Sequence, residues 1–287
     1  MKDKFVVITG ANAGIGKETT RGLAKAGARV AMLCRSVSRG EAAKEEILQE
    51  LPDARLEVHA CDLSSLSAVR QAAARIRDTE EKVDVLINNA GLFTSDYQET
   101  EEGFELQFGV NHLAHFLLTL LLFEPLRAAP QGRVISVSST AHYLGKIDFD
   151  DLHHRNDYSG LRAYGQSKVA NVLFTLELHR RLQAAESTSV TANCLHPGAV
   201  GTNFGAQHAN NFFIRGFWKL IQPFLISPRK GAQTSLYLAT SPLLDDTSGK
   251  YFDDCKPKAP SAYARQKEPA HRLWELSREL TGAEAGL

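Results

Sequence analysis

Tyr164 and Lys168 lie four residues apart in a segment whose residues favour a helix. Side chains at this spacing share one face of a helix, so the ammonium group of Lys168 would lie beside the phenol of Tyr164. A tyrosine with a pKa near about 10 is a poor base at neutral pH, and a nearby cation favours its phenolate form. The pair therefore predicts acid–base chemistry at a carbonyl or alcohol oxygen. Taken alone, Tyr-x-x-x-Lys is also common among solvated surface residues.

A glycine-rich turn near the amino terminus suits the phosphates of a nucleotide. The turn follows an apolar run, precedes a helical segment and has the spacing Gly-x-x-x-Gly-x-Gly. Glycines let the backbone approach a pyrophosphate closely, and the free N–H groups at a helix start favour negative charge. Between a strand and a helix such a triplet is a strong signal, and an ordinary turn is the alternative. The candidate cofactor residues of this turn are Gly10, Asn12, Ala13, Gly14, Ile15 and Gly16.

The residues after the second apolar run indicate which dinucleotide the turn binds. Arg35, Ser36 and Arg39 lie there, and the end of the run carries no Asp or Glu. A carboxylate at this place holds a ribose 2′-hydroxyl, whereas a guanidinium grips a 2′-phosphate with a fork of donors. The sequence therefore favours NADP(H) over NAD(H), with Arg35 as the main contact and Ser36 or Arg39 assisting. A solvated surface arginine is the alternative.

The elements that must position these residues follow a repeating order. Short runs rich in Val and Ile alternate with longer amphipathic segments, which is typical of strands buried on both faces of a parallel sheet. The pattern predicts one α/β domain of the doubly wound Rossmann type, with a parallel seven-stranded sheet and helices on both faces. The candidate strands are Phe5–Thr9, Arg29–Cys34, Leu56–Ala60, Val83–Asn88, Arg133–Val137, Val190–Leu195 and Lys250–Phe252. The candidate helices include Lys17–Ala26, Glu41–Leu51, Ser67–Glu81, Phe104–Arg127 and Ala163–Ala185.

Composition excludes several classes of protein. The 33 basic and 33 acidic side chains cancel, so no overall field would attract nucleic acid. No apolar stretch reaches the length of about 20 residues that a spanning helix needs. The four cysteines form no Cys-x-x-Cys motif, and the histidines form no His-Glu-x-x-His motif, so we expect reduced thiols and no metal site. These features predict a cytoplasmic protein.

The motifs, taken in order, resemble those of the short-chain dehydrogenase/reductase family. Thr-Gly-x-x-x-Gly-Ile-Gly is followed by Asn-Asn-Ala-Gly, a serine pair, Tyr-x-x-x-Lys and Pro-Gly-x-Val-x-Thr. The resemblance extends from Lys4 to about Leu280. It implies hydride transfer between a nicotinamide and a substrate, with Tyr164 as acid/base and Lys168 beside it. Both residues would also contact the cofactor.

The resemblance also implies roles for further residues. Asp62, with Leu63, would contact the adenine edge, although a helix cap is an alternative role for Asp62. Asn111 would interrupt a helix and hold a water against Lys168, and a satisfied side chain at a helix contact is its alternative. Ser139 would bind the substrate oxygen, with Ser138 as the second choice because the insertion Leu144–Gly160 loosens the register. The remaining cofactor contacts that the resemblance implies are Asn89, Ala90, Gly91, Pro197, Gly198, Val200 and Thr202.

Within the family the chain is most similar to the retinol dehydrogenase-like branch. The shared stretches include Leu33–Ser36, Ser138–His142 and Ser248–Phe252. The likeness implies an NADP(H)-dependent oxidoreductase that interconverts a lipophilic aldehyde or ketone, such as retinal, with its alcohol. A reductase of steroid or xenobiotic carbonyls is one alternative. A catalytically silent NADPH-binding regulatory protein is an alternative of another class.

The domain is expected to divide between cofactor and substrate. Residues 1–130 would hold the cofactor and 131–287 the catalytic and substrate groups, with an apolar flap over about 203–228. Its aromatic stretch 210–227 suits an apolar small-molecule substrate or peripheral contact with a membrane, and an ordinary packed flap is the alternative. Members of the branch often carry an amino-terminal membrane anchor. The chain given begins close to the first strand, so we expect a soluble homologue or a trimmed form. The two long candidate helices, Phe104–Arg127 and Ala163–Ala185, could form a homodimer interface or pack on the sheet, and the sequence leaves both alternatives open.

Overall fold

The computed structural model describes residues 1–185, 189–198 and 226–284. Within these ranges, eight strands form one sheet in the order β3-β2-β1-β4-β5-β6-β7-β8. All neighbouring pairs from β3 to β7 are parallel, which confirms the predicted doubly wound sheet. The strands are β1 (Phe5–Thr9), β2 (Arg29–Cys34), β3 (Arg55–Ala60), β4 (Val85–Asn88), β5 (Gly132–Val137), β6 (Val190–His196), β7 (Lys250–Asp253) and β8 (Lys256–Lys258).

Helices cover both faces of this sheet. The α-helices are α1 (Gly14–Lys25), α2 (Val37–Glu50), α3 (Leu66–Thr79), α4 (Leu106–Phe108), α5 (Ala114–Leu121), α6 (Phe123–Ala128), α7 (Gly160–Ala184), α8 (Pro228–Thr240) and α9 (Lys267–Thr281). Side chains alternate across each strand, so Val6 and Ile8 of β1 pack towards α1 and α8, whereas Phe5 and Val7 join a second core with α3 and α5. The continuous apolar runs are thus buried on both faces.

The eighth strand departs from the predicted seven-stranded sheet. β8 pairs antiparallel with β7, so that Asp253 opposes Lys256. The two residues of the turn, Asp254 and Cys255, have φ values of 46° and 62°, as a tight two-residue hairpin requires. β8 is exposed and carries Pro257, which is tolerated at a sheet edge. Lysines and a proline without a turn glycine gave no strand signal in the sequence.

The predicted long helix Phe104–Arg127 is divided into several pieces. A π-helical turn, Gly109–Leu113, separates α4 from α5, and a second break separates α5 from α6. Pro125 explains the second break, because its ring clashes with the carbonyl four residues earlier and it has no N–H to donate. The first break surrounds Asn111, where the sequence analysis expected an interruption.

Helix α9 packs across α5 and α7. Its Trp274 ring lies 5.0 Å from Phe116 of α5 and 5.8 Å from Phe174 of α7, measured between ring centroids. All three rings are buried. An ion pair of 2.7 Å joins Arg181 of α7 to Glu275 of α9. The two long helices considered above as a dimer surface thus bury these rings within a single chain.

No helix in the described ranges is long and apolar enough to cross a membrane. The same residues contain no cluster of His, Cys, Asp or Glu that could hold a metal ion. Cys34, Cys61 and Cys194 are buried free thiols, and Cys255 is half-buried. Residues 199–225 lie outside the described residues, and they include Val200, Thr202 and most of the expected flap.

Candidate active site

The glycine-rich turn lies where β1 ends and α1 begins. Gly10 and Gly14 adopt φ values of 67° and 53°, which glycine reaches without the penalty that a side chain brings. A Cβ at Gly16 would overlap the carbonyl oxygen of Gly10 and come within 2.6 Å of Asn89 Nδ2. The backbone is therefore packed too closely for side chains, as a cradle for a pyrophosphate at a helix N-terminus requires. The turn predicted from sequence has the geometry that a dinucleotide needs.

Thr9 connects this turn to the segment after β4 by hydrogen bonds. Its hydroxyl accepts hydrogen bonds from the backbone N–H groups of Asn89, at 3.0 Å, and Ala90, at 2.9 Å. The Asn89 side chain donates in return to the Thr9 carbonyl at 2.8 Å. Thr9 was not among the site residues predicted from sequence, although its place directly before Gly10 was the available signal. Asn89 and Ala90 thus lie beside the turn.

The residues proposed to contact the 2′-phosphate lie after β2. Arg35 and Arg39 are exposed, and neither forms a salt bridge with a described residue. The Ser36 hydroxyl caps α2 by accepting from the N–H of Arg39 at 3.4 Å. The two guanidinium groups thus lie on the same short segment as the start of α2. This arrangement leaves them available to an anionic ligand.

Asp62 does not cap α3. Its Oδ1 accepts from the N–H and the hydroxyl of Ser64 at 2.9 and 2.7 Å, whereas Ser65 accepts from the N–H of Ala68 as the cap. The helix-cap alternative for Asp62 is therefore wrong, because the chain places Ser65 at the position that faces the free N–H groups. Leu63 is buried beside Asp62.

Tyr164, Lys168 and Ser139 meet near the carboxyl end of β5. Tyr164 hydrogen-bonds the side chain of Ser139. The Lys168 Nζ atom lies 5.6 Å from the centroid of the Tyr164 ring and 3.4 Å from the Val137 carbonyl, to which it donates. The predicted helical spacing therefore brings the cation to the phenol, and the serine approaches from the sheet.

Ser138 lies on the other side of the chain from this cluster. Its hydroxyl donates to the backbone carbonyl of Lys168 at 2.7 Å and is buried. Ser138 thereby ties the end of β5 to α7. The geometry separates the two serines that the sequence left in competition, because Ser139 contacts the phenol and Ser138 contacts a backbone oxygen.

Burial sets the pKa values of this group. Loss of water raises the pKa of Tyr164 to about 12, and the hydrogen bond from Ser139 opposes this only in part. The same desolvation lowers the pKa of Lys168 to about 8. The expectation that Lys168 lowers the pKa of Tyr164 is thus not met in the protein alone, because desolvation raises this pKa and the hydrogen bond with Ser139 lowers it only in part.

Asn111 lies in the π-helical turn and forms two hydrogen bonds with the segment after β4. Its Oδ1 accepts from the N–H of Leu92 at 2.8 Å, and its Nδ2 donates to the Leu92 carbonyl at 3.0 Å. Nδ2 also donates to the Ser167 hydroxyl at 2.9 Å, next to Lys168 in α7. A Cβ at Gly91 would lie 3.0 Å from Lys168 Nζ and 3.3 Å from Asn111 Oδ1. Asn111, Gly91 and Lys168 therefore share one compact site.

The turn after β6 completes the described part of the site. Gly198 has a φ of 85° and follows Pro197, so the chain turns sharply there. His196 precedes this turn, and its Nδ1 and the Tyr251 hydroxyl form a hydrogen bond of 2.6 Å. Tyr251 belongs to β7, so this contact joins two strands that are far apart in the sequence.

Comparison with known proteins agrees with this geometry. The family model described as "short chain dehydrogenase" matches residues 4–211. Retinol dehydrogenase 12 from Mus musculus is 48% identical over 97% of this chain and 86% of its own length. Retinol dehydrogenase 13 from Homo sapiens is 47% identical over 98% of this chain and 86% of its own length.

Solved structures agree as well. An uncharacterized protein from Mycobacterium paratuberculosis is 38% identical and superposes with a TM-score of 0.80, covering 100% of this chain and 96% of its own. A short chain dehydrogenase from Escherichia coli, in complex with NADPH, is 23% identical with a TM-score of 0.70 over 89% of this chain and 98% of its own, which shows the common fold. The chain therefore belongs to the short-chain dehydrogenase/reductase family of oxidoreductases and is similar to its retinol dehydrogenases.

Proposed function

We propose that the protein uses NADP(H) to interconvert a lipophilic aldehyde or ketone with its alcohol, with retinal and retinol as the substrate type. The observation that carries this proposal is the hydrogen bond between Tyr164 and Ser139 at the carboxyl ends of the strands, with Lys168 Nζ 5.6 Å from the centroid of the Tyr164 ring. The phosphate-binding turn lies at the same edge of the sheet. The high identity to retinol dehydrogenases supports the substrate type.

In the proposed reaction, Ser139 and Tyr164 bind the substrate carbonyl oxygen by hydrogen bonds. A pKa of about 12 keeps Tyr164 protonated at neutral pH, so it can donate its proton to that oxygen as negative charge develops there. When bound, NADPH would supply the hydride to the carbonyl carbon. Lys168 then stabilises the resulting phenolate, and Asn111 fixes the position of the segment around Lys168.

Residues 1–130 hold the cofactor in this proposal, and 131–287 supply the catalytic and substrate groups. The close-packed glycines of the turn suit the pyrophosphate, and Asn89 to Gly91 line the next strand end. The unpaired guanidinium groups of Arg35 and Arg39 suit a 2′-phosphate better than a 2′-hydroxyl. In this proposal Asp62, whose Oδ1 accepts from Ser64, would contact the adenine edge.

The first experiment measures cofactor oxidation with all-trans-retinal, comparing NADPH with NADH. We expect retinal-dependent turnover that prefers NADPH. Turnover of steroid or other ketones without retinal would move the substrate to the alternative reductase activity. Binding of NADPH without turnover of any aldehyde or ketone would overturn the enzymatic proposal in favour of a silent NADPH-binding protein.

Arg35→Glu should reverse the choice of cofactor. A carboxylate would repel the 2′-phosphate and remove charge-assisted hydrogen bonds worth about 1.5–3 kcal/mol, so kcat/KM with NADPH should fall about 10–100-fold. Turnover with NADH should be retained or increase. Arg77→Glu, an exposed arginine near the end of α3, is the matched control and should leave both values unchanged. Equal loss with both cofactors in Arg35→Glu would contradict the assignment.

The reductase rate should fall on the alkaline side as Lys168 loses its proton. Burial lowers the pKa of Lys168 from 10.5 to about 8, so the ammonium form is present below that pH and is lost above it. Tyr164 stays protonated throughout because burial raises its pKa to about 12. A profile of kcat against pH between 6 and 10, at saturating NADPH, checks this. A rate that stays constant up to pH 10 would show that the charge on Lys168 is not required.

A further inference from the structure

His142 forms two hydrogen bonds with Ser139, the residue that contacts the Tyr164 phenol. Ser139 begins a 3-10 turn, Thr140–Tyr143, and its hydroxyl accepts from the N–H of Ala141 at 3.2 Å. The Ser139 carbonyl accepts twice from His142, from the backbone N–H at 3.1 Å and from the ring Nδ1 at 2.7 Å. The peptide plane that follows Ser139 is therefore held by two donors of one residue.

The surroundings allow only one tautomer of the His142 ring. A carbonyl oxygen can only accept, so the proton lies on Nδ1. Nε2 is then an acceptor, and the backbone N–H of Ser261 donates to it at 3.2 Å. His142 is fully buried, and desolvation lowers its pKa, so the neutral form persists at neutral pH. Rotating the ring by half a turn would break both hydrogen bonds, which fixes its orientation.

The partner segment lies just beyond the unexpected edge strand β8. Ser261 follows β8 by a few residues, and the Tyr143 hydroxyl donates to the carbonyl of Ala259 at 3.0 Å. The turn that begins at Ser139 is thus tied to residues 259–261 at two points. The His142 ring also packs against Tyr251 of β7, with 4.7 Å between ring centroids. A distant part of the chain therefore braces the serine turn.

We propose that His142 is a positioning residue for Ser139, acting through the Nδ1–H bond to the Ser139 carbonyl. The inference rests on the proposed function, in which Ser139 binds the substrate oxygen. The bond holds the backbone of Ser139 while Ala141 holds its hydroxyl, so the hydroxyl stays directed at Tyr164. Ser261 keeps the ring in the tautomer that donates. In this proposal His142 acts through Ser139 and not on the substrate oxygen.

Two variants separate the two ring nitrogens. In His142→Asn the side-chain amide N–H replaces Nδ1–H, whereas in His142→Gln the side-chain oxygen replaces Nε2 as the acceptor for Ser261. We expect His142→Asn to keep kcat within a few-fold of the parent. We expect His142→Gln to lose kcat on the order of 10²-fold, the size of loss that a misplaced catalytic group brings, with an unchanged KM for NADPH. Both variants should lose similar amounts of thermal stability.

The variants are compared with the parent protein and with Ser139→Ala. Equal loss of kcat in His142→Asn and His142→Gln, in proportion to their Tm, would show that His142 only stabilises the fold. Full activity in both would show that the bond is not needed. A failure of the proposed function looks different, because it appears as an inactive parent or as a fully active Ser139→Ala, and either result overturns this inference together with that function.

Discussion

Tyr164→Phe should reduce kcat for carbonyl reduction about 10²–10⁴-fold, the usual contribution of a positioned general acid. The substitution removes one oxygen atom and leaves the ring, which packs edge-on against Phe93 at 5.8 Å between centroids. The phenol oxygen that is removed is the group that hydrogen-bonds Ser139. The measurement is single-turnover oxidation of NADPH with saturating aldehyde.

Binding of NADPH serves as the internal control for Tyr164→Phe, since the phosphate-binding turn and all the other expected cofactor contacts remain. Its affinity, measured by cofactor fluorescence, should change little. Tyr237→Phe is the matched substitution, because Tyr237 lies on α8 and packs against Phe252 of β7, away from the Tyr164 cluster. That variant should keep the parental kcat. Undiminished reduction by Tyr164→Phe would remove Tyr164 from the chemistry and leave only the fold assignment standing.

Gly16→Ala should damage both cofactor binding and stability. The added methyl group would overlap the Gly10 carbonyl and press on Asn89 Nδ2, so the turn must open. Overpacking of this kind costs about 1–3 kcal/mol of the free energy of unfolding. A displaced turn no longer directs its N–H groups at the pyrophosphate, and we expect the affinity for NADPH to fall at least about tenfold, which corresponds to about 1.4 kcal/mol. Chemical denaturation and a fluorescence titration measure the two effects.

Gly103→Ala distinguishes a local effect on the turn from a general cost of replacing glycine. Gly103 has a φ of 80°, yet a Cβ there would meet no atom within 4 Å. Its replacement should cost about 1–2 kcal/mol of stability through backbone strain alone. The affinity for NADPH should be unaltered. If both variants bound the cofactor equally well, the close approach at Gly16 would have no role in holding it.

The seven parallel strands could be predicted to within two residues at either end. A strand buried on both faces leaves a local signal, because most positions along it are apolar. Strands β1, β2 and β5 illustrate this, as nearly all their residues are buried. The order of strands also follows from local pattern, since right-handed strand–helix–strand units allow few arrangements. The position of the glycine turn and of Tyr164 then follows.

The rest depends on contacts between distant residues. The pairing of β8 with β7 needs two residues in the left-handed region of backbone conformation. Asp254 and Cys255 give no sequence signal for that conformation, whereas a glycine would. The bond between Ser261 and His142 joins residues that are 119 positions apart. The direction of the pKa shift at Tyr164 depends on how much protein surrounds the phenol, and sequence spacing gives only the neighbouring charge.

The position of α9 bears on how the protein is made. A ribosome completes α5 and α7 long before it adds α9, which follows every other described element. Until Trp274 arrives, the parts of Phe116 and Phe174 that it covers are left uncovered, and exposed apolar surface of this kind favours aggregation of incomplete chains. The nascent protein should therefore depend on chaperones to a late point in synthesis. A premature stop before α9 should give an insoluble product even though the cofactor turn and Tyr164 are already present.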